Sequence, residues 1–221
     1  MKQYVLLLFT FLLGLDGMAS LKKYRQRREL KKTKPSAEPY GRVKKATSKN
    51  PMFVIQKHDA SHVHYDFRLE IDGVLVSWAV PKGLPEKLDI RRLAIRTDNH
   101  PMEYGNFEGI IPQGHYGAGT VMVWDIGTYE NIREKEGKSV SMKKALDQGT
   151  IEVFVKGKKI WGPYALIKTK GMNGKNSWIL LKMKKNIVEK KPTKKRIRKN
   201  TSALTERTMK QITIDHDAQW E

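Results

Sequence analysis

The chain contains no cysteine in 221 residues. That excludes disulfide frameworks, thiol catalysis and cysteine-ligated zinc or iron–sulfur sites. It also lacks a bilayer-length apolar run. The longest, Tyr4 to Leu15, has about 12 residues where about 20 are needed. No Lys-Ser/Thr follows a glycine-rich turn and no dinucleotide fingerprint opens a helix, so neither common phosphate-binding loop is present. No internal repeat is visible. Acids are scarce beside bases: 23 Asp+Glu face 43 Lys+Arg, a formal net charge of +20.

What is present is enough for a core. Hydrophobic residues make up 39% of the chain, with five Trp, which excludes a wholly disordered basic chain. The charge points to a polyanion, nucleic acid before anionic membrane. Its distribution is uneven. Residues 22–45 hold 11 Lys/Arg and two acids, and residues 182–199 hold 10 Lys/Arg and one acid, a net of +9 each. The rest is nearly neutral. The chain therefore divides into an apolar leader (1–17), a basic N-terminal arm (18–51), a balanced globular domain (52–185) and a basic, mostly disordered tail (186–221). Removing the tail is expected to weaken affinity for such a polyanion with little effect on chemistry. The leader reads either as signal-like, with Lys2 ahead of the apolar stretch, or as residues upstream of a true start at Met18.

Within the globular part, β-rich runs occur at Met52–Gln56, His62–Glu70, Val74–Val80, Arg92–Thr97, Thr120–Trp124, Thr150–Val155, Tyr164–Lys168 and Ser177–Met183. Asp72-Gly73, Lys82-Gly83, Gly157 and Gly162-Pro163 punctuate them. Many short strands with glycine-rich turns predict a mainly β fold, a barrel or a sandwich, with little helix. Ser141–Asp147 is the one good internal helix candidate, and Ala203–Ile212 could form a short terminal helix.

The densest chemistry lies between residues 58 and 70. On a strand, His62, His64, Asp66, Arg68 and Glu70 share one face, and Val63, Tyr65, Phe67 and Leu69 the other. The second set is a plain core face. The first could be an ordinary solvent face, but two imidazoles and a carboxylate at alternate positions are unusual there. Two His and one carboxylate suit Mn, Fe or Zn and leave positions open for water or substrate. Spacing leaves the remaining ligand open among His58, His62, His100 and His115. Lys82, after the second hairpin strand, and Arg92, at the start of the next, bring cations to the neighbourhood, as a phosphate substrate requires. The run Phe107–Gly119 reads as a tight glycine corner.

These residues carry a resemblance. Gln56-Lys57-His58-Asp59-Ala60-Ser61-His62-Val63-His64-Tyr65-Asp66-Phe67-Arg68-Leu69-Glu70 resembles the 3′-phosphoesterase domain of bacterial DNA ligase D and its stand-alone relatives. So do Ser77–Gly83, Asn99-His100-Pro101 with Tyr104, Glu108–Gly119 and Trp178–Lys182. The likeness covers about residues 20–184. It implies a single compact β-barrel of about eight strands with short flanking helices. It implies a manganese-dependent enzyme, with other divalent transition metals as substitutes, that trims DNA 3′ ends. A 3′-terminal ribonucleotide is removed by phosphodiester and then phosphomonoester cleavage, leaving a 3′-hydroxyl.

By this resemblance, His58, His64 and Asp66 are the metal ligands. Arg68 and His100 are catalytic contacts to the scissile phosphate. Lys82, Arg92 and Tyr104 support the phosphate, and His62 is a neighbour of the ligands rather than a ligand. The arm residues Tyr24–Leu30 and Glu38-Pro39 match a stretch that handles the ribose end, which gives Arg28, Glu29 and Glu38 a role in that step. Glu29 stands where the family has Asp, and Leu30 where it has Phe. The implied partners are DNA primer-template 3′ ends, with DNA ligase, polymerase/primase and Ku-type end-joining proteins supplied in trans to a free-standing monomer. A DNA-end substrate favours the Met18 start and a cytoplasmic, nucleoid-associated protein over a membrane anchor. Two other classes fit less well: a non-haem iron oxygenase, whose facial triad has the same residue types, and a non-catalytic nucleic-acid binder.

Overall fold

The computed structural model describes residues 51–170, 176–184 and 197–220, with Leu21 and Tyr24. The leader, most of the basic arm and residues 185–196 lie outside the described residues.

Among the described residues eleven strands follow in order: β1 (Met52–Asp59), β2 (Val63–Ile71), β3 (Val74–Val80), β4 (Arg91–Arg96), β5 (Gly109–Ile111), β6 (Gly119–Asn131), β7 (Glu134–Lys135), β8 (Lys138–Ser139), β9 (Thr150–Gly157), β10 (Trp161–Lys168) and β11 (Ser177–Lys182). Eight of them close an antiparallel circuit, β1-β2-β3-β4-β11-β10-β9-β6 and back to β1. These correspond to the eight runs expected from the sequence. β5 adds to the circuit on β6, and β7 and β8 form a separate small hairpin. Among the described residues, two short α-helices, α1 (Met142–Asp147) and α2 (Met209–Asp215), flank the barrel, with a 3-10 turn at Met102–Asn106.

Local chemistry sets these joints. Asp72 and Gly73 both take positive φ, 52° and 76°, the backbone of the tight turn that joins β2 to β3. Ser141 caps α1 by accepting from Lys144 N. The terminal helix begins at Met209 and not at Ala203 as expected. Thr208 and Gln211 form a capping box there, while the Ser202 hydroxyl accepts from Leu204 N and Thr205 N and turns the preceding chain. The Asp125 carboxylate accepts from the backbone of Lys158, Lys159 and Ile160 and ties the β9–β10 turn to β6. Burial raises its pKa.

Two apolar layers share the wall of the barrel. Every circuit strand sends residues to the interior, among them Phe53, Phe67, Trp78, Ala94, Leu180, Leu166, Val153 and Met122. Burying each large side chain stabilises by about 1.5–3 kcal/mol. A second layer lies on the outer surface of β1, β3 and β6: Val54, Leu75, Val121 and Val123 pack under Tyr104, Phe107, Ile111, Ala218 and Trp220. This double coverage explains why Met52–Ile55 of β1 and most of β3 read as continuous apolar runs instead of alternating ones.

The expectation of a mostly disordered tail is corrected over 197–220. Ala203, Ile212, Ala218 and Trp220 are all buried. Ala203 N donates to Val123 O, and Trp124 Nε1 donates to Lys199 O. Gln219 forms a parallel bridge with Ile110. The basic run up to residue 199 set the reading of the whole tail, although residues 197–220 themselves hold four Lys/Arg and three acids. No helix among the described residues is long and apolar enough to cross a membrane.

Candidate active site

The site is built on the outer face of β1, β2 and β3. Antiparallel register sets His58 opposite His64, Gln56 opposite Asp66, and Arg68 opposite Ser77. Alternation then puts His64, Asp66 and Arg68 on one surface. His58, His64 and Asp66 offer ligand atoms that all lie within 4.8 Å of one another. His58 Nδ1 is 3.9 Å from Asp66 Oδ2, and His64 Nε2 is 3.8 Å from Asp66 Oδ1.

Both imidazoles are prepared to act as lone-pair donors. His64 Nδ1 lies 2.9 Å from the His62 carbonyl oxygen, which can only accept. Nδ1 therefore donates in that contact, which leaves Nε2, beside Asp66, as the nitrogen able to take a metal. His58 Nε2 is buried and finds no hydrogen-bond partner among the described residues. Its other nitrogen, Nδ1, is the one that faces Asp66. Burial also lowers the His58 pKa from the usual 6.5, against the raising influence of Asp66, so the neutral ligand form is favoured. The donor set, two imidazole nitrogens and one carboxylate, fits a divalent transition metal.

Arg68 connects this group to the next. Its side chain is 2% exposed, and its guanidinium is spread over several partners. Nη2 donates to Asp66 Oδ2 at 2.9 Å, Nε to Gln56 Oε1 at 2.7 Å, and Nη1 to Ser77 Oγ at 2.7 Å. Nη1 also lies 2.9 Å from His100 Nδ1, and the cation sits 4.9 Å from the centre of the Tyr104 ring. Gln56 in turn donates to the Tyr104 and Phe107 carbonyls at 2.9 and 3.0 Å. A paired backbone bridge between Leu75 and His100 fixes the histidine against β3.

His100 Nδ1 is also 2.9 Å from the Asp98 carbonyl. Protonated, Nδ1 donates to Asp98; deprotonated, it accepts from Arg68. A guanidinium donor and a carbonyl acceptor thus both lie within reach of Nδ1 and hold the ring in place.

Residues 56–168 match the family described as the DNA ligase D 3′-phosphoesterase domain. The chain belongs to the DNA ligase D 3′-phosphoesterase family. It is similar to the multifunctional non-homologous end joining DNA repair protein LigD of Mycobacterium tuberculosis (strain H37Rv), with 44% identity over 164 residues. That stretch is 74% of this chain and 20% of the relative. It is similar also to the multifunctional non-homologous end joining protein LigD of Pseudomonas aeruginosa, with 41% identity over 165 residues, 74% of this chain and 18% of that protein. The corresponding protein of Mycolicibacterium smegmatis shares 45% over 164 residues, again 74% of this chain and 20% of the relative. The chain thus spans about a fifth of the length of the curated relatives it matches. Its family makes it a phosphoesterase-type hydrolase, and DNA repair by non-homologous end joining is the setting of these relatives.

In this phosphoesterase domain the expected residues separate into groups. His58, His64, Asp66, Arg68, His100 and Tyr104 are brought together. The metal-capable cluster among the described residues contains neither His62, His100 nor His115. His62 contributes its backbone carbonyl. Tyr104 is buried, with its ring 4.8 Å from that of His100. Lys82 is exposed in the turn after β3. Arg92 sits opposite Leu180 in the register that faces the barrel interior, its Nε buried and without a hydrogen-bond partner among the described residues. No contact joins Lys82 or Arg92 to the cluster among the described residues. Arg28, Glu29 and Glu38 lie outside the described residues.

Sequence reasoning missed Gln56, Ser77 and Trp220. Gln56 and Ser77 bear no motif of their own, although each lies within a quoted run. Trp220 was hidden in a tail judged by its charge.

Proposed function

We propose that this chain is a divalent-metal-dependent 3′-end phosphoesterase of DNA repair. It removes 3′-terminal ribonucleotides and 3′-phosphates to leave a 3′-hydroxyl. Manganese is the metal that His58, His64 and Asp66 would hold. The observation that carries this reading is Arg68, which bridges Asp66 to His100. It puts a fixed positive charge and an oriented imidazole beside a metal-capable cluster, as cleavage of a phosphate ester needs and an oxygenase facial triad does not.

When bound, the metal polarises a phosphoryl oxygen and offsets charge that develops on transfer. Arg68, held immobile by Gln56, Ser77 and Asp66, presents its charge without reorganisation. His100, oriented through Nδ1, exchanges a proton with the departing oxygen through Nε2. Tyr104 fixes the His100 ring from one side. Lys82, on the exposed turn after β3, is a cation free to support the substrate phosphate, and Arg28, Glu29 and Glu38 handle the terminal ribose. DNA 3′ ends are the substrate, met in the cytoplasm on the nucleoid. Ligase, polymerase/primase and Ku-type proteins are the partners of the same repair.

A primer–template ending in one 3′-ribonucleotide tests the proposal. With manganese, the protein converts it to a 3′-phosphate-ended and then a 3′-hydroxyl-ended DNA primer. Without divalent metal the primer stays intact. Products unchanged under both conditions would overturn the reading.

A further inference from the structure

Beyond the metal and phosphate residues, the C-terminal segment forms a strap across the active face. It lies outside residues 56–168, the extent of the family match. The strap is anchored in three places. Arg207 pairs with buried Glu108 at 3.2 Å and with Asp215 and Asp217 at 2.9 and 2.8 Å. Thr205 Oγ1 donates to the same Glu108 carboxylate. Ile110 N donates to Ala218 O at 2.9 Å, and Trp220 N donates to Ile110 O at 3.0 Å. The backbone at Ala218 passes so close that a Cβ on Gly109 would meet its oxygen at 2.2 Å.

The strap ends on an indole that touches both aromatic neighbours of His100. The Trp220 ring packs edge-on against Tyr104 with centroids 4.9 Å apart, and 5.3 Å from Phe107. Its Nε1 donates to the Tyr24 hydroxyl at 2.8 Å. Tyr24 stands edge-on to His100 at 5.1 Å, and Tyr104 lies 4.8 Å from His100 on its own account. Trp220 is 4% exposed, so this hydrogen bond forms in a largely dry setting.

We infer that Trp220 is a positioning residue: through its N–H on Tyr24 and its ring on Tyr104 it holds the two aromatic walls that orient His100. The segment that carries it is therefore part of the catalytic unit and not only an affinity tail. The inference rests on the phosphoesterase reading for its kinetic consequence, but the contact itself does not depend on that reading.

The test compares full-length wild type, Trp220→Phe, Tyr24→Phe and the double variant. Trp220→Phe keeps an aromatic ring but loses the N–H. Tyr24→Phe loses the accepting hydroxyl. On duplex DNA ending in a 3′-phosphate, with manganese, each single variant is expected to lower kcat by about three- to tenfold, with KM and Tm nearly unchanged. The double variant is expected to be no slower than the slower single one, because both remove the same bond. Limited trypsin digestion, read by mass, gives a measure independent of activity. Cleavage after Lys23 and Arg25, which flank Tyr24, should quicken in both single variants. Wild-type kcat in Trp220→Phe, or multiplied losses in the double variant, would overturn the inference. If wild type itself shows no turnover, the functional reading fails instead, and unchanged trypsin cleavage then overturns the contact.

Discussion

Arg68 donates to Asp66 Oδ2 from Nη2 at 2.9 Å, and from the same guanidinium meets His100 2.9 Å away at Nη1. One planar side chain thus sets the distance between the metal-capable carboxylate and the imidazole. A charge-assisted bond within a buried network is stronger than its surface counterpart, and the fork shape gives it direction.

Arg68→Lys should therefore not behave as a conservative change. A lysine keeps the charge but cannot reach Asp66, Gln56 and Ser77 at once. Turnover is expected to fall by about 10²-fold or more, and stability by about 1–3 kcal/mol through the acceptors left unsatisfied. Steady-state kinetics with manganese and a urea midpoint measure the two effects. Wild-type turnover in the variant would show that the fork is not required.

Gln56 is fully buried and joins Arg68 to the Tyr104 and Phe107 carbonyls. Gln56→Leu should cost about 1–3 kcal/mol and lower kcat, while leaving manganese affinity close to wild type. Urea unfolding alongside a manganese titration checks this. An unchanged midpoint would mean that the amide is dispensable.

The pH dependence of the metal-free protein follows from His58, whose pKa burial holds below 6.5. The native state takes up that proton at lower pH than the unfolded chain does. Between the two values the unfolded chain binds more protons, so stability rises with pH and levels off above about 6.5. Urea unfolding of metal-free wild type from about pH 5 to 7.5 should show a steeper rise than His58→Gln. Equal slopes would contradict the direction assigned to His58.

Gly109→Ala tests how tightly the strap is held. The added methyl would collide with the Ala218 backbone, so the strap would have to shift to accommodate it. The expected outcome is a barrel that still folds, with kcat reduced several-fold and stability lower by more than about 1 kcal/mol. Circular dichroism, thermal unfolding and kinetics on one sample report all three. Unaltered kinetics would mean that the strap has no part in turnover.

Much of this was legible in the sequence because strand chemistry repeats every two residues. His64, Asp66 and Arg68 fall on one face by alternation, and Phe67 and Leu69 fall on the other. All eight barrel strands were visible as apolar or β-branched runs between turns. The closure of β6 on β1 was not, because pairing between distant strands leaves no mark in local pattern. Spacing also left the remaining ligand open. Only cross-strand register sets His58 opposite His64 and leaves His115 outside the cluster. Gln56 and Ser77 act through buried hydrogen bonds, which demand geometry and not an unusual residue type. The tail misled for a different reason. The basic run at 182–199 argued for disorder beyond it, whereas a few anchors, Ala203, Ile212, Ala218 and Trp220, suffice to dock the nearly neutral end. Removing that tail is accordingly expected to impair chemistry as well as affinity.

The most direct test of the central claim compares wild type with Asp66→Ala. Each is incubated with manganese and a primer–template bearing one 3′-terminal ribonucleotide, while manganese binding is followed on the same samples. Wild type should bind the metal and trim the primer to a 3′-hydroxyl end. Asp66→Ala should still bind the DNA but lose both the metal and the trimming. Full 3′-end trimming by Asp66→Ala would contradict the account.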